Sequence, residues 1–332
     1  MSSAFALHIG LDLLDPSAYA GWNGRLYAAE NDANTMADLT ADLGYRSRTL
    51  LSAEATTSAI FDAIAGAAQT LEPGDIFVLT YAGHGGQFED ITGDEADQLD
   101  ETWLLYDREI LDDELNMAFS DFRNGVRVLL ISDSCHSGTV AREYYKSVLT
   151  ESGFAADAYT KVAARLGSRD RATYRQQRKL KARQAPPALQ ADVLKEHRDL
   201  YHRIRSSTPR SNEIAVNASI ILMAACQDNQ VSLENDGHGV FTAALLDRWR
   251  RGEFRGSYRS FCDEIIQELP ATQSPNFFES GRAWPEYVNQ QPFTIEAPAG
   301  AIGPTQGSGG DLQLKPAAYR VEISRLDAPT KY

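Results

Sequence analysis

The chain has 332 residues, a formal net charge of -14 and only three cysteines. This length is enough to bury one large core in a single domain. The negative charge argues against nucleic acid as a partner, because phosphate binding requires a basic surface. No apolar run approaches the roughly 18 residues of a membrane span, so we expect no membrane partner. These features favour a cytoplasmic protein whose irregularly spaced cysteines stay reduced.

The first half of the chain alternates strand and helix patterns. They predict a strand at 4–11, a helix at 31–43, a strand near 45–51 and a helix at 56–71. Two nearly continuous apolar runs then end in glycine-containing motifs, GDIFVLTYAGHGG at 74–86 and VRVLLISDSCHSG at 126–138. Such runs are typical of strands covered on both faces. We therefore predict an α/β fold with a mostly parallel central β-sheet flanked by helices on both faces.

The second half contains a basic segment and a second set of core elements. A strand is predicted at 214–226, followed by helices at 239–250 and 257–269. Between 142 and 210 there are 16 Lys and Arg against seven Asp and Glu, with helical periodicity at 161–183. We interpret residues 1–295 as one domain that carries a basic, largely helical insertion at about 142–212. Residues 296–332 then form a flexible linker and a C-terminal tail.

The two glycine-containing motifs supply the groups that a cysteine peptidase needs. Cys135 follows a buried strand, and His84 precedes it by 51 residues. A thiolate, a nearby base and donors for the oxyanion are the required parts. His136 is an alternative base, although neighbours in an extended chain point to opposite faces. A lone cysteine after a strand is also compatible with an inert buried thiol.

The combination of YAGHGGQ, DSCHSG, the acidic loop between them, ACQDNQVS and GVFTAALL resembles the caspase-like superfamily of cysteine peptidases. Within it, the sequence is most similar to metacaspases and bacterial metacaspase-like proteases. The resemblance implies a caspase-like fold and a catalytic dyad of His84 and Cys135. It also implies that the backbone N–H groups of Gly85 and Cys135 bind the oxyanion, and that the chemistry requires no cofactor.

The resemblance also implies the substrate preference. Metacaspases line the S1 pocket with carboxylates and cleave proteins after Arg or Lys, and the matching residues here are Asp32 and Asp133. A buried carboxylate pair favours a cationic side chain, and the planar guanidinium of Arg fits it better than Lys. The alternative for Asp32 is a helix N-cap.

An acidic loop, FEDITGDEADQLDE at 88–101, precedes Asp112 and Asp113. Calcium-activated metacaspases bind the ion through residues that match Asp100, Asp112 and Asp113, and Glu143 is the nearest candidate for a fourth ligand. Calcium is therefore an expected activator, and a solvated acidic loop is the alternative.

The basic insertion follows the nucleophile's strand and is rich in the residue that the pocket is expected to bind. We expect it to control activity by self-cleavage or through an upstream activating protease. The candidate cleavage sites are Arg165, Arg169, Arg171, Arg175, Arg178 and Arg183. A solvated helical hairpin without a regulatory role is the alternative. The expected partners are protein substrates with exposed Arg or Lys, and the alternative function is a catalytically silent scaffold or binding module.

Overall fold

The computed structural model describes residues 2–89, 99–135, 181–208, 214–225, 232–234, 237–269, 273 and 275–298. Its strands are β1 Ala4–Gly10, β2 Arg46–Leu51, β3 Ile76–Ala82, β4 Gly85–Glu89, β5 Leu99–Leu104, β6 Glu109–Leu111, β7 Arg127–Asp133, β8 Lys181–Ala182, β9 Ser219–Ala224, β10 Leu233–Glu234 and β11 Asn276–Gly281. Its helices are α1 Ala29–Asp42, α2 Thr57–Thr70, α3 Asp112–Ser120, α4 Pro187–Glu196, α5 Arg198–Ser207, α6 Val240–Trp249, α7 Tyr258–Glu268 and α8 Pro285–Val288. None of the described helices is both long and apolar enough to cross a membrane.

The central sheet has the strand order β11-β9-β7-β3-β1-β2. Its strands are parallel except for β11, which runs antiparallel to β9 at the edge. The register pairs Gly10 with Ala82, and Ala82 with Asp133. The carboxyl ends of the three middle strands therefore lie level, and the loops that follow them emerge side by side.

Successive side chains of each strand point to opposite sides of the sheet, and a core cluster covers each side. On β3, Phe77 and Leu79 belong to one core cluster, whereas Ile76 and Val78 belong to the other. Buried residues of α2 and α3 complete the first cluster, and those of α1, α6 and α7 complete the second. The predicted α/β class and the helical cover on both faces are confirmed.

The later part of the predicted insertion, residues 181–208, packs into the body of the protein. Ala185, Val193, Tyr201 and Ile204 are all buried in the first core cluster. The helices α4 and α5 therefore cover the sheet rather than stand in solvent. The helix predicted over 161–183 is wrong for its last residues, because Lys181 and Ala182 instead form a short strand that pairs with β10.

A second, three-stranded sheet is formed by β4, β5 and β6. Both ends of the acidic loop at 88–101 belong to strands, and β4 pairs antiparallel with β5. Residues 90–98 lie outside the described part. Gln190 of α4 donates to Glu109 of this sheet at 3.3 Å, and Tyr201 of α5 accepts the Glu109 N–H at 3.1 Å. These two hydrogen bonds connect the small sheet to the pair of helices α4 and α5.

At the opposite end of the sheet, the buried guanidinium of Arg127 binds the chain that follows α8. Its nitrogens donate to the backbone oxygens of Thr294, Ile295 and Glu296, and to the side chain of Gln290. These bonds fix residues 290–296 beneath the first residue of β7.

Candidate active site

The register of the central sheet brings the two predicted catalytic residues to one place. Ala82 pairs with Asp133, and His84 and Cys135 each lie two residues beyond that pair. Gly85 packs directly on the backbone of Cys135, since a Cβ at this position would lie 1.8 Å from the Cys135 carbonyl oxygen. Only glycine at position 85 permits the backbones of these two loops to pack so closely together.

The imidazole of His84 is buried and held in one tautomer. Its Nε2 lies 2.9 Å from the carbonyl oxygen of Gly24, and because a carbonyl only accepts, Nε2 carries the proton. Burial lowers the pKa of His84 to about 3, although the hydrogen bond to the Gly24 carbonyl raises the pKa and offsets part of this effect. The ring is therefore neutral at pH 7, and Nδ1 is its unprotonated nitrogen. Among the described residues, Nδ1 has no hydrogen-bond partner.

The backbone around His84 is fixed by Tyr81. The Tyr81 hydroxyl donates to the carbonyl of His84 at 2.7 Å, and its ring stacks on Trp103 with 4.2 Å between centroids. Trp22 packs against the imidazole itself. Trp22 thus contacts the imidazole of His84, while Tyr81 holds its backbone.

Cys135 is fully buried beside residue Ser232, which precedes β10. The Ser232 N–H points at the sulfur with 2.8 Å between N and Sγ, and the Ser232 carbonyl oxygen lies 3.4 Å from Sγ. Backbone dipoles of this kind hold the thiol in place.

A buried acidic pocket lies next to these residues, and Arg183 of the same chain fills it. The guanidinium has no exposed surface and contacts three carboxylates. Its Nη2 lies 2.5 Å from Asp32 Oδ2 and 3.2 Å from Glu234 Oε2, and its Nη1 lies 3.1 Å from Asp133 Oδ2. Nε donates to the same Glu234 oxygen at 3.3 Å. All three guanidinium nitrogens therefore face acidic groups, a geometry that an ammonium group does not reproduce.

The carboxylates are held in turn by neighbouring donors. Asp32 accepts from the backbone N–H of Gly239 at 3.0 Å, and His238 Nδ1 lies 2.8 Å from its other oxygen. Asp133 accepts from the hydroxyls of Ser232 and Thr242, each at 2.6 Å. Because every carboxylate has fixed partners, the pocket keeps its shape around a bound cation.

Charge and burial act against each other in this pocket. Burial raises the pKa of Glu234, and the charge of Arg183 opposes that shift. For Arg183, burial lowers the pKa, but the three carboxylates outweigh it and raise the pKa of the guanidinium above its ordinary value. Arg183 is therefore charged, and the pocket is complementary to a cation.

The backbone of Arg183 runs through the site in an extended conformation. Its N–H donates to Ser232 O at 2.9 Å, and its carbonyl oxygen accepts the N–H of Gly85 at 3.0 Å. The next contact comes from Ala185, whose N–H donates to the carbonyl of Gly85 at 2.9 Å. Gly85 therefore holds the chain on both sides of the bond between Arg183 and Gln184.

The structure brings together His84, Gly85, Cys135, Asp32, Asp133 and Arg183, six of the residues singled out from the sequence. The N-cap alternative for Asp32 is wrong, because Asp32 lies inside α1 and the residue before that helix is Ala28. Asp12 accepts the N–H of Ala29 at 2.9 Å and takes the capping role. His136 and the candidate cleavage sites Arg165, Arg169, Arg171, Arg175 and Arg178 lie outside the described residues.

The predicted calcium ligands are only partly described. Asp112 and Asp113 begin α3, the backbone of Asp100 lies opposite Phe88 in the small sheet, and Glu143 is outside the described part. Within the described residues, no group of three or more His, Cys, Asp or Glu side chains is arranged to hold a metal ion. Calcium binding stays a prediction.

Sequence reasoning missed several residues of the pocket. Glu234 supplies a third carboxylate, Ser232 holds both Cys135 and Asp133, and a Cβ on Gly239 would lie 2.2 Å from Asp133 Oδ2. The signal was weak, since Ser232 and Glu234 stand in a polar loop after the predicted strand and Gly239 is the first residue of the predicted helix that follows. Their proximity to Asp32 becomes visible only in three dimensions.

Comparisons with known proteins agree on the family. Residues 13–292 match the family model of the caspase domain. Metacaspase-1 of Saccharomyces cerevisiae is 34% identical over 150 residues, which cover 41% of this chain and 33% of the yeast protein. Metacaspase-1A of Neurospora crassa is 34% identical over 182 residues, covering 49% of this chain and 39% of that protein. The chain thus spans little more than a third of the length of these curated relatives.

One solved structure matches most of this chain. A protein from Geobacter sulfurreducens superposes with a TM-score of 0.75 and 39% sequence identity, covering 88% of this chain and 99% of that one. The family match extends over most of the sequence, and the fold agrees with it. The chain belongs to the caspase family of cysteine peptidases.

Proposed function

We propose that the chain is a cysteine endopeptidase that cleaves after Arg, and that its own Arg183–Gln184 bond is its first substrate. The observation that carries this proposal is the position of Arg183. Its side chain fills the acidic pocket, and its carbonyl oxygen accepts the N–H of Gly85. An arginine bound in this way has the pose of a P1 residue, with the carbonyl that would be attacked at an oxyanion donor.

The roles of the other residues follow from their chemistry. Cys135 is the nucleophile, and the unprotonated Nδ1 of His84 takes the thiol proton, as expected for a neutral imidazole. The Gly85 N–H and the backbone N–H of Cys135 stabilise the oxyanion. His84 then protonates the leaving amine of Gln184, whose carbonyl contributes to the environment of the imidazole. Water releases the acyl-enzyme.

The geometry of the pocket also favours Arg over Lys as the residue that precedes the cleaved bond. Glu234 Oε2 accepts from both Nε and Nη2 of Arg183. A lysine has no group at the position of Nε, so part of this contact would be lost and a buried carboxylate oxygen would lose its donor. We expect Lys to be accepted with lower efficiency and Asp not to be accepted.

While Arg183 occupies the pocket, other substrates are excluded, so the intact chain behaves as a zymogen. A specific alternative follows from the same observation. If Arg183 never leaves, the protein is a caspase-like scaffold whose site is permanently filled by its own chain. Activity measurements separate these two functions.

The test uses wild type, Cys135→Ala and Arg183→Gln, with the exposed Arg203→Gln as the matched control. Each protein is incubated alone, its new termini are mapped by mass spectrometry, and its hydrolysis of fluorogenic peptides with Arg, Lys or Asp at P1 is measured. We expect wild type and Arg203→Gln to gain a terminus between residues 183 and 184 and to hydrolyse the Arg peptide. Cys135→Ala should do neither, and Arg183→Gln should not be cut at this bond. Absence of any Arg-peptide hydrolysis by wild type would favour the scaffold.

A further inference from the structure

The chain that follows the Arg183–Gln184 bond is anchored as firmly as the chain that precedes it. Ala185 is fully buried, and its N–H is bound to Gly85 O. Two residues later α4 begins, and Val193 of α4 and Tyr201 of α5 are buried in the main core. Breaking the bond would remove none of these contacts.

Arg183, on the other side of the bond, is held independently. Its guanidinium contacts three carboxylates, and its N–H donates to Ser232 O. After cleavage and until Arg183 leaves the pocket, the new carboxyl group of Arg183 and the new amine of Gln184 would both remain beside Cys135. The amine of Gln184, which is the leaving group of the cleavage reaction, is thus retained at the site because the next residue, Ala185, is buried and bound to Gly85.

A retained amine changes what the acyl-enzyme can do. Well-oriented groups within one molecule react with effective molarities on the order of 10⁵ M or more. The Gln184 amine therefore competes with water for the thioester between Cys135 and Arg183. The backbone of Gln184 contributes to the environment of the His84 imidazole, whose unprotonated Nδ1 is the atom that would take the proton of the attacking amine.

We propose that this site also catalyses peptide-bond formation, acyl transfer from Cys135 back to the amine of Gln184. The inference rests on the proposed endopeptidase function. Starting from the hydrolysed chain, the Cys135 thiol attacks the protonated carboxyl group of Arg183, the C–S bond forms and one carboxyl oxygen leaves as water. The uncharged amine of Gln184 then attacks the thioester carbonyl, the C–N bond forms and the C–S bond breaks, and the amine proton passes through His84 to the departing thiolate. Hydrolysis and ligation at this bond then run in both directions, so cleavage levels off before all chains are cut.

The decisive variant frees the amine while keeping the pocket. Three residues, Gly-Ser-Gly, are inserted between Gln184 and Ala185, so Arg183 and the scissile bond are unchanged but the amine is no longer tied to the buried Ala185. The same insertion between the exposed residues Glu72 and Pro73 is the matched control. We expect cleavage to run to completion in the first variant and to level off in the control and in wild type.

Isotope labelling tests ligation directly. Wild type, both insertion variants and Cys135→Ala are incubated in water enriched in the heavy oxygen isotope, and the uncut peptide that spans residues 183 and 184 is isolated with a Glu-specific protease. Hydrolysis followed by ligation places the label in the Arg183 carbonyl of uncut chains. We expect label there in wild type and in the Glu72–Pro73 control, but not in the Gln184–Ala185 insertion or in Cys135→Ala.

The possible results separate this inference from the function on which it rests. Label confined to cut chains, or cleavage that runs to completion in wild type, overturns ligation and leaves the endopeptidase intact. Hydrolysis of an Arg peptide without any cut at Arg183 also overturns ligation alone. If wild type neither cuts itself nor hydrolyses an Arg peptide, both proposals fall.

Discussion

Removing the buried guanidinium should destabilise the protein strongly, because Arg183 is the cation shared by three buried carboxylates. Loss of one partner of a buried ion pair costs about 3–5 kcal/mol, since an uncompensated charge stays behind. We expect the Arg183→Ala change to lower the free energy of unfolding by that amount. For a chain of this size, this corresponds to a fall in Tm of roughly 4–7 °C.

The loss should depend on pH in a definite direction. Burial already raises the pKa of Glu234, and the charge of Arg183 is the strongest of the influences that oppose that shift. As the pH falls, Glu234 takes up a proton and one of the unpaired charges disappears. The difference in stability between the two proteins should therefore be smaller at pH 5 than at pH 8.

The assay is thermal and urea unfolding in a Cys135→Ala background, which keeps every chain uncut. Arg203→Ala provides the control, since it removes an exposed arginine from α5. Arg183→Lys should recover part of the lost stability, because it restores the positive charge but not the planar guanidinium group. If Arg183→Ala unfolds like Arg203→Ala at every pH, the guanidinium does not neutralise the pocket and the reasoning fails.

Three further predictions concern the pocket, a buried histidine and calcium. Gly239→Ala should reduce kcat/KM for Arg peptides at least tenfold, because the new Cβ would clash with Asp133 Oδ2; unchanged kinetics would contradict the pocket geometry. Burial lowers the pKa of His8 to about 4, so between about pH 6.5 and pH 4 only the unfolded chain takes up a proton at this residue. His8 should therefore lower the free energy of unfolding by about 1.4 kcal/mol for each pH unit as the pH drops through this range. Denaturant titrations of wild type and His8→Gln should show a shallower slope for the variant, and equal slopes would exclude His8 as a source. Calcium in the millimolar range should raise the rate of Arg-peptide hydrolysis, and less so in Asp112→Asn; a rate that neither calcium nor chelator alters would argue against this ion.

Much of the fold follows from local patterns in the sequence. The runs that end at Ala82 and Asp133 are nearly continuous apolar stretches, as strands covered on both faces require, and each stops at a motif that leaves the sheet. Because parallel strands end at one edge, two motifs far apart in the chain could be placed together without a structure. The predictions for His84 and Cys135 used this rule, and the structure places both residues there.

Other parts depend on contacts that no local pattern contains. Lys181 and Ala182 have good helix propensity, but pairing with β10 and burial of the next residue, Arg183, override it. The strand β5 begins within a stretch rich in Asp and Glu, which have low strand propensity, so its pairing with β4 was not expected. Glu234 joins the pocket only because the fold brings β10 beside α1.

The bonds of Arg127 have a practical consequence for experiments on single molecules or on sensor surfaces. Arg127 begins β7 and Asp133 ends it, so the two lie about 20 Å apart at the usual rise of a strand. Residues 290–296 are tied to Arg127 and therefore sit at the pole of the molecule away from the acidic pocket. A dye or a surface linkage attached at this pole should leave the mouth of the pocket free for macromolecular substrates, whereas attachment near the exposed Tyr27 would crowd it.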